Sequence, residues 1–353
     1  MKLKRQILVA PLNWGLGHAT RCIPIINTLL DYNFEPIIAS DGDALELLKK
    51  EFPNLKYLEL PSYGIKYPKK GKHLKLKLLK HLPKLLKAIK TEKKVVENII
   101  KTNLIDGIIS DNRFGVYSTN IPSVYITHQL NVLSGNTSWI SSKMHQSIIR
   151  KFDECWVPDL ESTSNLSGKL GHLDYPIIST KYIGILSRFN IIEAKKTYDL
   201  LILLSGPEPQ RSILENLLLK EIEDYKGAVL FVKGKIEANK TKEIKNNVTI
   251  INFMTSDALE VAINESGTIL ARSGYSTILD LAKLGKKAFF IPTPGQFEQE
   301  YLAKRLSNKN IAPFCTQDEF TIKKLDLLKD YTGFETLESA PTPKTLFGLF
   351  ESK

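Results

Sequence analysis

The sequence predicts two α/β halves, each a doubly wound parallel sheet of Rossmann type, facing each other across an interdomain cleft. Three observations predict it. The 353 residues exceed one ordinary domain and suit two. Short apolar runs alternate with helical stretches, as in a parallel sheet whose crossover helices cover both faces. The pattern then restarts, without any repeat of sequence. The expected bounds are 1–182 for the first half and 196–335 for the second, with a hinge near 183–195. A tail, 336–353, is expected to pack back on the first half. Hydrophobic residues at 42% and charged residues at 25% are globular values and allow a sizeable core without staples.

In order, Gln6 to Ala10 reads as a strand, Pro11 to His18 as a loop, and Ile23 to Leu30 as a helix. A strand at Pro36 to Ala39 leads into a helix from Asp43 to Lys50. Further strands are expected at Lys56 to Leu60, Gly107 to Ser110, Val124 to Thr127 and Glu154 to Val157. In the second half, Asp199 to Leu204 is continuously apolar from Leu200, which suits a strand buried on both faces. Strands are expected again at Ala228 to Val232, Val248 to Ile251, Thr268 to Leu270 and Ala288 to Ile291. Such sheets hold ligands beyond the carboxyl ends of their strands, so the loops there carry the search for function.

Cys22, Cys155 and Cys315 are scattered, with no CxxC, which points to a reducing compartment. The apolar run Ile7 to Ala10 is too short for a signal peptide, and no window approaches the roughly 18 apolar residues of a spanning helix. A cytoplasmic protein is expected. Its net charge of +11 is gathered locally: between Lys69 and Lys94 stand eleven lysines and one acid, Glu92. From Leu74 to Lys94, apolar residues at 78, 82, 85, 86 and 89 share one face, with Lys77, Lys80, Lys84, Lys87 and Lys90 opposite and Pro83 interrupting. A basic amphipathic helix over 69–94 suits an anionic membrane surface, at about 1 kcal/mol per lysine. A solvated face over a packed one would carry the same pattern. Nucleic acid is disfavoured, because few aromatics interleave the lysines.

The most informative stretch is Ala271-Arg272-Ser273-Gly274-Tyr275-Ser276-Thr277-Ile278-Leu279-Asp280. A buried strand ends at Ala271 and small residues open a helix. Gly274 lets a ligand approach the backbone, and the first-turn amides, with Arg272, Ser273, Ser276 and Thr277 around them, form an anion site. Asp280 lies six residues beyond Gly274 on that helix, where a carboxylate can accept from two ribose hydroxyls. Helix capping by Ser273, with a solvated Asp280, would explain the same residues. The loop Leu204-Ser205-Gly206-Pro207-Glu208-Pro209-Gln210-Arg211 offers a second phosphate cradle at Gly206 with charge from Arg211, or is a plain proline-rich turn.

In the first half, Asn13-Trp14-Gly15-Leu16-Gly17-His18-Ala19-Thr20-Arg21 links strand to helix. Two glycines in that turn bring backbone close to a ligand. A neutral histidine at the helix start suits proton abstraction from a hydroxyl. Asp111, at the end of a strand, is the candidate that would orient it. Asp41-Gly42-Asp43 invites a metal reading, but it opens a helix, where Ser40 or Asp41 suits an N-cap, so no metal is implied.

These motifs resemble the MurG-type glycosyltransferases, the family 28 enzymes of GT-B fold, strongly over about 199–305 and more loosely over 6–21 and 124–140. The resemblance implies that the small-residue turn holds a diphosphate, that Asp280 replaces the usual glutamate at the ribose, and that Gln299, with Gln296 a looser match, contacts the sugar. It places uracil against the backbone near Asn252-Phe253-Met254. The loop with Gly15, Gly17 and His18 resembles the family's GxGGH turn with one glycine fewer. Thr127-His128-Gln129-Leu130-Asn131 resembles its His-Glu-Gln-Asn segment, with Gln129 in place of the acid. The implied function is an inverting transfer from a UDP-sugar, the co-substrate, to a lipid-linked or glycan acceptor on the inner face of the plasma membrane, without cofactor. His18 and Asp111 are then catalytic, and Asn13, Gly15, Gly17, Arg21, His128 and Asn131 meet the acceptor. A nucleotide-sugar epimerase or hydrolase, or a non-catalytic membrane-associated nucleotide-sugar-binding protein, are the alternatives.

Overall fold

Runs that are apolar at consecutive positions become central strands, since only a strand covered on both faces can hide every side chain. The computed structural model describes residues 4–64, 74–206, 208–235, 237, 239–337 and 343–351, with the side chains of 74–82 and 343–345 left aside. Two compact units result, one built from the chain up to Leu186 with the C-terminal helix added, the other from Ser187 onwards.

The first unit holds a seven-stranded sheet. Its strands are β1 (Gln6–Pro11), β2 (Glu35–Ser40), β3 (Tyr57–Glu59), β4 (Ile105–Asp111), β5 (Ser123–Ile126), β6 (Glu154–Val157) and β7 (Ser179–Tyr182). They run parallel in the order β3-β2-β1-β4-β5-β6-β7. The order reverses between β1 and β4, the place where doubly wound sheets open a crevice. Helices α1 (Gly17–Asp31), α2 (Gly42–Glu51), α3 (Leu74–Asn103) and α4 (Ser138–Ile149) connect them. Ile7, Leu8, Val9 and Ala10 of β1 are wholly buried. Each large aliphatic side chain so buried contributes about 1.5–3 kcal/mol.

The second sheet comprises β8 (Tyr198–Leu203), β9 (Val229–Val232), β10 (Lys242–Lys245), β11 (Val248–Ile251), β12 (Ser266–Ala271) and β13 (Lys287–Phe290). Its order is β10-β11-β9-β8-β12-β13, parallel except for the antiparallel edge strand β10. Here the reversal lies between β8 and β12. Helices α5 (Gln210–Glu221), α6 (Ser256–Asn264), α7 (Tyr275–Lys283) and α8 (Phe297–Asn308) cover it.

A last helix, α9 (Pro343–Glu351), belongs to the first unit. Phe347 and Phe350, each 1% exposed, set their rings 6.1 and 6.3 Å from that of Trp156. Gly107 of β4 is bare because a Cβ there would stand 2.4 Å from the Phe350 ring.

Three elements differ from the sequence reading. Helix α1 begins at Gly17 rather than near Ile23, with Pro24 inside it. Strands β7 and β10 went unrecognised, because each is an edge strand that hides no apolar face. Of the basic stretch 69–94, the side chains up to residue 82 lie outside the described residues.

Candidate active site

Parallel pairing aligns the carboxyl ends of neighbouring strands, and three loops of the first unit use this. Pro11 of β1 stands beside Asp111 of β4, and Asp111 beside Ile126 of β5. His18 enters α1 just after β1, and His128 follows β5 by two residues. The ring Nδ1 of His18 lies 2.8 Å from Asp111 Oδ1. His18 keeps 17% exposure while Asp111 has none. Burial pushes the Asp111 carboxyl up, but the Arg21 guanidinium and the His18 ring outweigh it and hold the group at about 2. It is therefore ionised at every ordinary pH, the state that orients an imidazole and steadies its positive form.

Arg21 lies one turn along α1 from His18, on the same face. It does not face an acceptor, as the sequence reading had it. It is 2% exposed, donates to both Asp111 oxygens, and sets its Nη1 3.0 Å from His128 Nδ1. His128 itself is 4% exposed. Asn13 is likewise engaged: its side-chain oxygen accepts from the Ala44 amide at 3.3 Å, so it supplies the side-chain cap of α2. Asp41 sits at the N-cap position, yet its carboxylate pairs with Arg113 at 2.7 Å. Gly42 adopts φ +51°, and a Cβ there would meet the Asn13 amide at 2.3 Å, so glycine is required. Asn131 ties to the Leu170 and Lys169 carbonyls at 2.9 and 2.8 Å. Gly15, at φ +82°, has nothing within 4 Å of a Cβ and leaves its backbone open, while Gly17 begins α1.

The sequence reading missed a second buried network behind this loop. Arg113, wholly buried, donates to Glu92 Oε1 at 2.6 Å and to the Pro61 carbonyl at 2.7 Å, besides Asp41. Glu92 also accepts from the Tyr63 hydroxyl at 2.5 Å and the Gly115 amide at 2.9 Å. One acid in a lysine-rich run was the available signal. It anchors α3 to the edge of the sheet.

In the second unit the candidate residues again collect at the reversal, after β8 and β12. Gly274 is the N-cap of α7, with no side-chain cap and no acid in the first turn. Ser273 is not a cap: it is wholly buried and its hydroxyl donates to the Gln299 carbonyl at 2.9 Å. The Thr293 amide donates to Gln299 Oε1 at 2.8 Å, which turns Nε2 toward the loop. A Cβ on Gly274 would meet that Nε2 and Thr277 Oγ1 at 4.0 Å each, so Gly274, Thr277 and Gln299 border one spot. Ser276 lies beside them in the first turn of α7, and Gln296, the N-cap of α8, has a buried side-chain oxygen without a partner.

Asp280 is partly exposed rather than free in solvent. Burial pushes its carboxyl up to about 6, against Arg188 and the Ser187 hydroxyl, which donates to it at 2.6 Å. Gly206 adopts φ +102° with nothing within 4 Å of a Cβ, and half-buried Met254 follows β11. Two arginines assigned to the donor do other work. Arg211 is 3% exposed and pairs with Glu208 and with Glu215, the latter at 2.6 Å. Arg272 is 1% exposed and donates to the carbonyls of Ile291, Pro292 and Gln210 and to the Gln317 side chain. Burial lowers its guanidinium to about 9. Arg211 is committed to carboxylates and Arg272 to carbonyls. Among the described residues no cluster of histidine, cysteine and acid suits a metal ion.

Comparison with known proteins accords with this geometry. Residues 210–332 match the glycosyltransferase family 28 C-terminal domain. The UDP-N-acetylglucosamine--N-acetylmuramyl-(pentapeptide) pyrophosphoryl-undecaprenol N-acetylglucosamine transferase of Haemophilus ducreyi is 24% identical over 213 residues, 58% of this chain and 56% of that protein. The chain thus matches just over half the length of that relative. A protein of Methanosarcina mazei named an uncharacterized glycosyltransferase is 25% identical over 332 residues, covering 84% of this chain and 81% of its own. Among solved structures, MurG of Acinetobacter baumannii superposes with TM-score 0.57 at 15% identity, covering 99% of this chain and 100% of its own. The Streptomyces glycosyltransferase SsfS6 with thymidine diphosphate gives TM-score 0.61 at 12% identity over 99% and 100%. Residues 210–332 of the second unit are thus similar to the glycosyltransferase family 28 C-terminal domain, and the chain is MurG-like, with the two doubly wound parallel-sheet domains of the GT-B fold.

Proposed function

We propose that the chain is an inverting glycosyltransferase that moves a sugar from a UDP-sugar to a hydroxyl of a lipid-linked or glycan acceptor, working from the cytoplasm on the inner face of a membrane. The observation that carries this reading is the His18–Asp111 pair, 2.8 Å apart at the reversal of the first sheet. His18 takes the acceptor hydroxyl proton as the oxygen bonds to the anomeric carbon from the side opposite the leaving group. The bond from that carbon to the diphosphate breaks, its electron pair leaves with UDP, and the configuration inverts. Asp111 steadies the imidazolium so formed. The N-terminus of α7 takes the diphosphate charge, so no metal is needed. Asp280 accepts from the ribose, and Gln299 and Gln296 face the sugar.

Two lines support the finer terms. The Haemophilus relative is by name a transferase from UDP-N-acetylglucosamine to an undecaprenol-linked acceptor, and the SsfS6 structure holds a nucleoside diphosphate. On α3, Lys84, Lys87, Lys90 and Lys94 are exposed beside Leu86, itself 49% exposed. That face suits an anionic membrane surface. No described helix is long and apolar enough to cross a membrane.

The test is UDP release from a panel of UDP-sugars, with and without polyprenol-linked glycans in anionic vesicles. Release should depend on acceptor, and His18→Ala should cut it by about 10²–10⁴ while UDP still binds by calorimetry. Sugar-nucleotide consumption without acceptor would favour an epimerase or hydrolase. Vesicle binding with no nucleotide affinity would favour a non-catalytic module.

A further inference from the structure

Arg21 is the most heavily committed side chain at the first unit's edge, and nothing in a proton abstraction by His18 requires an arginine there. It touches three of the groups gathered at that edge: Asp111, His18 and His128. A guanidinium has only donors, never an acceptor. Its Nη1 lies 3.0 Å from His128 Nδ1, so that ring nitrogen must present a lone pair. A neutral His128 then carries its proton on Nε2.

The His18 side is a contest. Its Nδ1 lies 2.8 Å from Asp111 Oδ1 and equally 2.8 Å from Arg21 Nη2, and the two contacts ask for opposite tautomers. The carboxylate wins. A bare Nδ1 would set its lone pair against a buried negative charge, whereas a protonated one donates a charge-assisted bond, about twice as strong as a neutral one. Arg21 Nη2 loses nothing by this, because Asp111 Oδ1 already accepts from it. By gripping both carboxylate oxygens, Arg21 also keeps Oδ1 turned to the histidine.

We propose that Arg21 is a positioning residue that holds His18 and His128 in opposite tautomers, His18 bare at Nε2 and His128 protonated there. Its importance for turnover rests on the reading of His18 as the base; the tautomers themselves do not. The arrangement makes one ring an acceptor of protons and the other a hydrogen-bond donor, a division that two histidines in a symmetric setting would not keep. It also gives His128 a role through its proton, where the sequence reading had only contact with an acceptor.

Ring-nitrogen spectra of the full chain labelled with ¹⁵N-histidine test this at alkaline pH, with His18→Gln and His128→Gln assigning the signals. The expected result is a proton on Nδ1 of His18 and on Nε2 of His128. A proton on Nδ1 of His128, or the same tautomer in both rings, overturns the proposal. Asp111→Asn should leave the His128 ring as it is, since Arg21 still donates to it. The double variant Arg21→Met with Asp111→Asn strands no buried charge and should raise the share of His128 protonated at Nδ1; an unchanged ring there also overturns it. With acceptor present, the double variant should turn over at least about tenfold more slowly than Asp111→Asn alone, a difference of about 1.4 kcal/mol. Equal rates overturn the link to turnover. If the wild-type spectra are as expected but no UDP-sugar is consumed, the transferase reading fails and the assignment of Arg21 stands.

Discussion

The carboxyl edges of the two sheets are built in opposite ways. At the first, charge is concentrated and locked: Asp111, Arg21 and the two histidines satisfy one another, and the Arg113–Glu92–Asp41 network lies behind them. At the second, the arginines Arg211 and Arg272 are turned inward, and the helix that opens after Gly274 has no side-chain cap. The difference teaches which physics each edge can offer. An edge of fixed side-chain charges can move a proton. One of backbone amides and neutral amide side chains can receive an anion without a competing carboxylate or a salt bridge to break first.

Substitutions should fall differently on the two edges. The largest effect is expected behind the first. Glu92→Ala leaves the wholly buried Arg113 guanidinium with Asp41 as its one carboxylate and takes the shared acceptor from the Tyr63 hydroxyl and the Gly115 amide, and should cost about 3–5 kcal/mol, read from the urea midpoint. A loss under about 1 kcal/mol would mean that the network does not lock that edge.

Asp280 sharpens the comparison, because the proposed function sets this acid against the donor's ribose. Its folded carboxyl stands at about 6, above the usual value of 3.8, so the fold favours its protonated form. That preference stabilises the fold fully below about pH 4 and is lost as pH rises through about 6. Asp280→Asn should therefore gain about 1–2 kcal/mol over the wild type at pH 8 and little at pH 4, with UDP affinity reduced about tenfold. Stability that moves without affinity would remove Asp280 from the donor site.

The smallest effect is expected at Ser273. Its hydroxyl serves the Gln299 carbonyl, so Ser273→Ala should cost about 1 kcal/mol of stability and leave UDP affinity unchanged. A marked loss of affinity would show that this edge reads phosphate with a side chain after all.

Much of this was legible beforehand, and the reasons are specific. The central strands announced themselves because burial on both faces forces unbroken apolar runs, as in Leu200, Leu201 and Ile202. Edge strands such as Lys242–Lys245 face no such demand and read as loop. The small-residue turn at Gly274 and the histidine after β1 could be picked out because backbone access and proton transfer each restrict residue type. Direction was the illegible part. A sequence shows that Arg21 and Arg272 carry charge, not that they point inward, since their partners lie 90 and 62 residues away, whereas the i,i+4 pair of Arg211 with Glu215 was there to be read. The start of α1 at Gly17 was hidden by Pro24, a residue that suits a helix's first turn and here stands in the third.

The seating of Phe347 and Phe350 has a consequence for biosynthesis. Their rings fill the space over Gly107 and beside Trp156, in the interior of the unit that is translated first. That interior cannot close on a nascent chain until the final helix has left the ribosome, by which time the second unit has already emerged. The later-synthesised unit is thus free to finish first. A fragment ending at Leu186 would leave Phe34, Trp156 and the strand at Gly107 without the aromatic cover that α9 supplies.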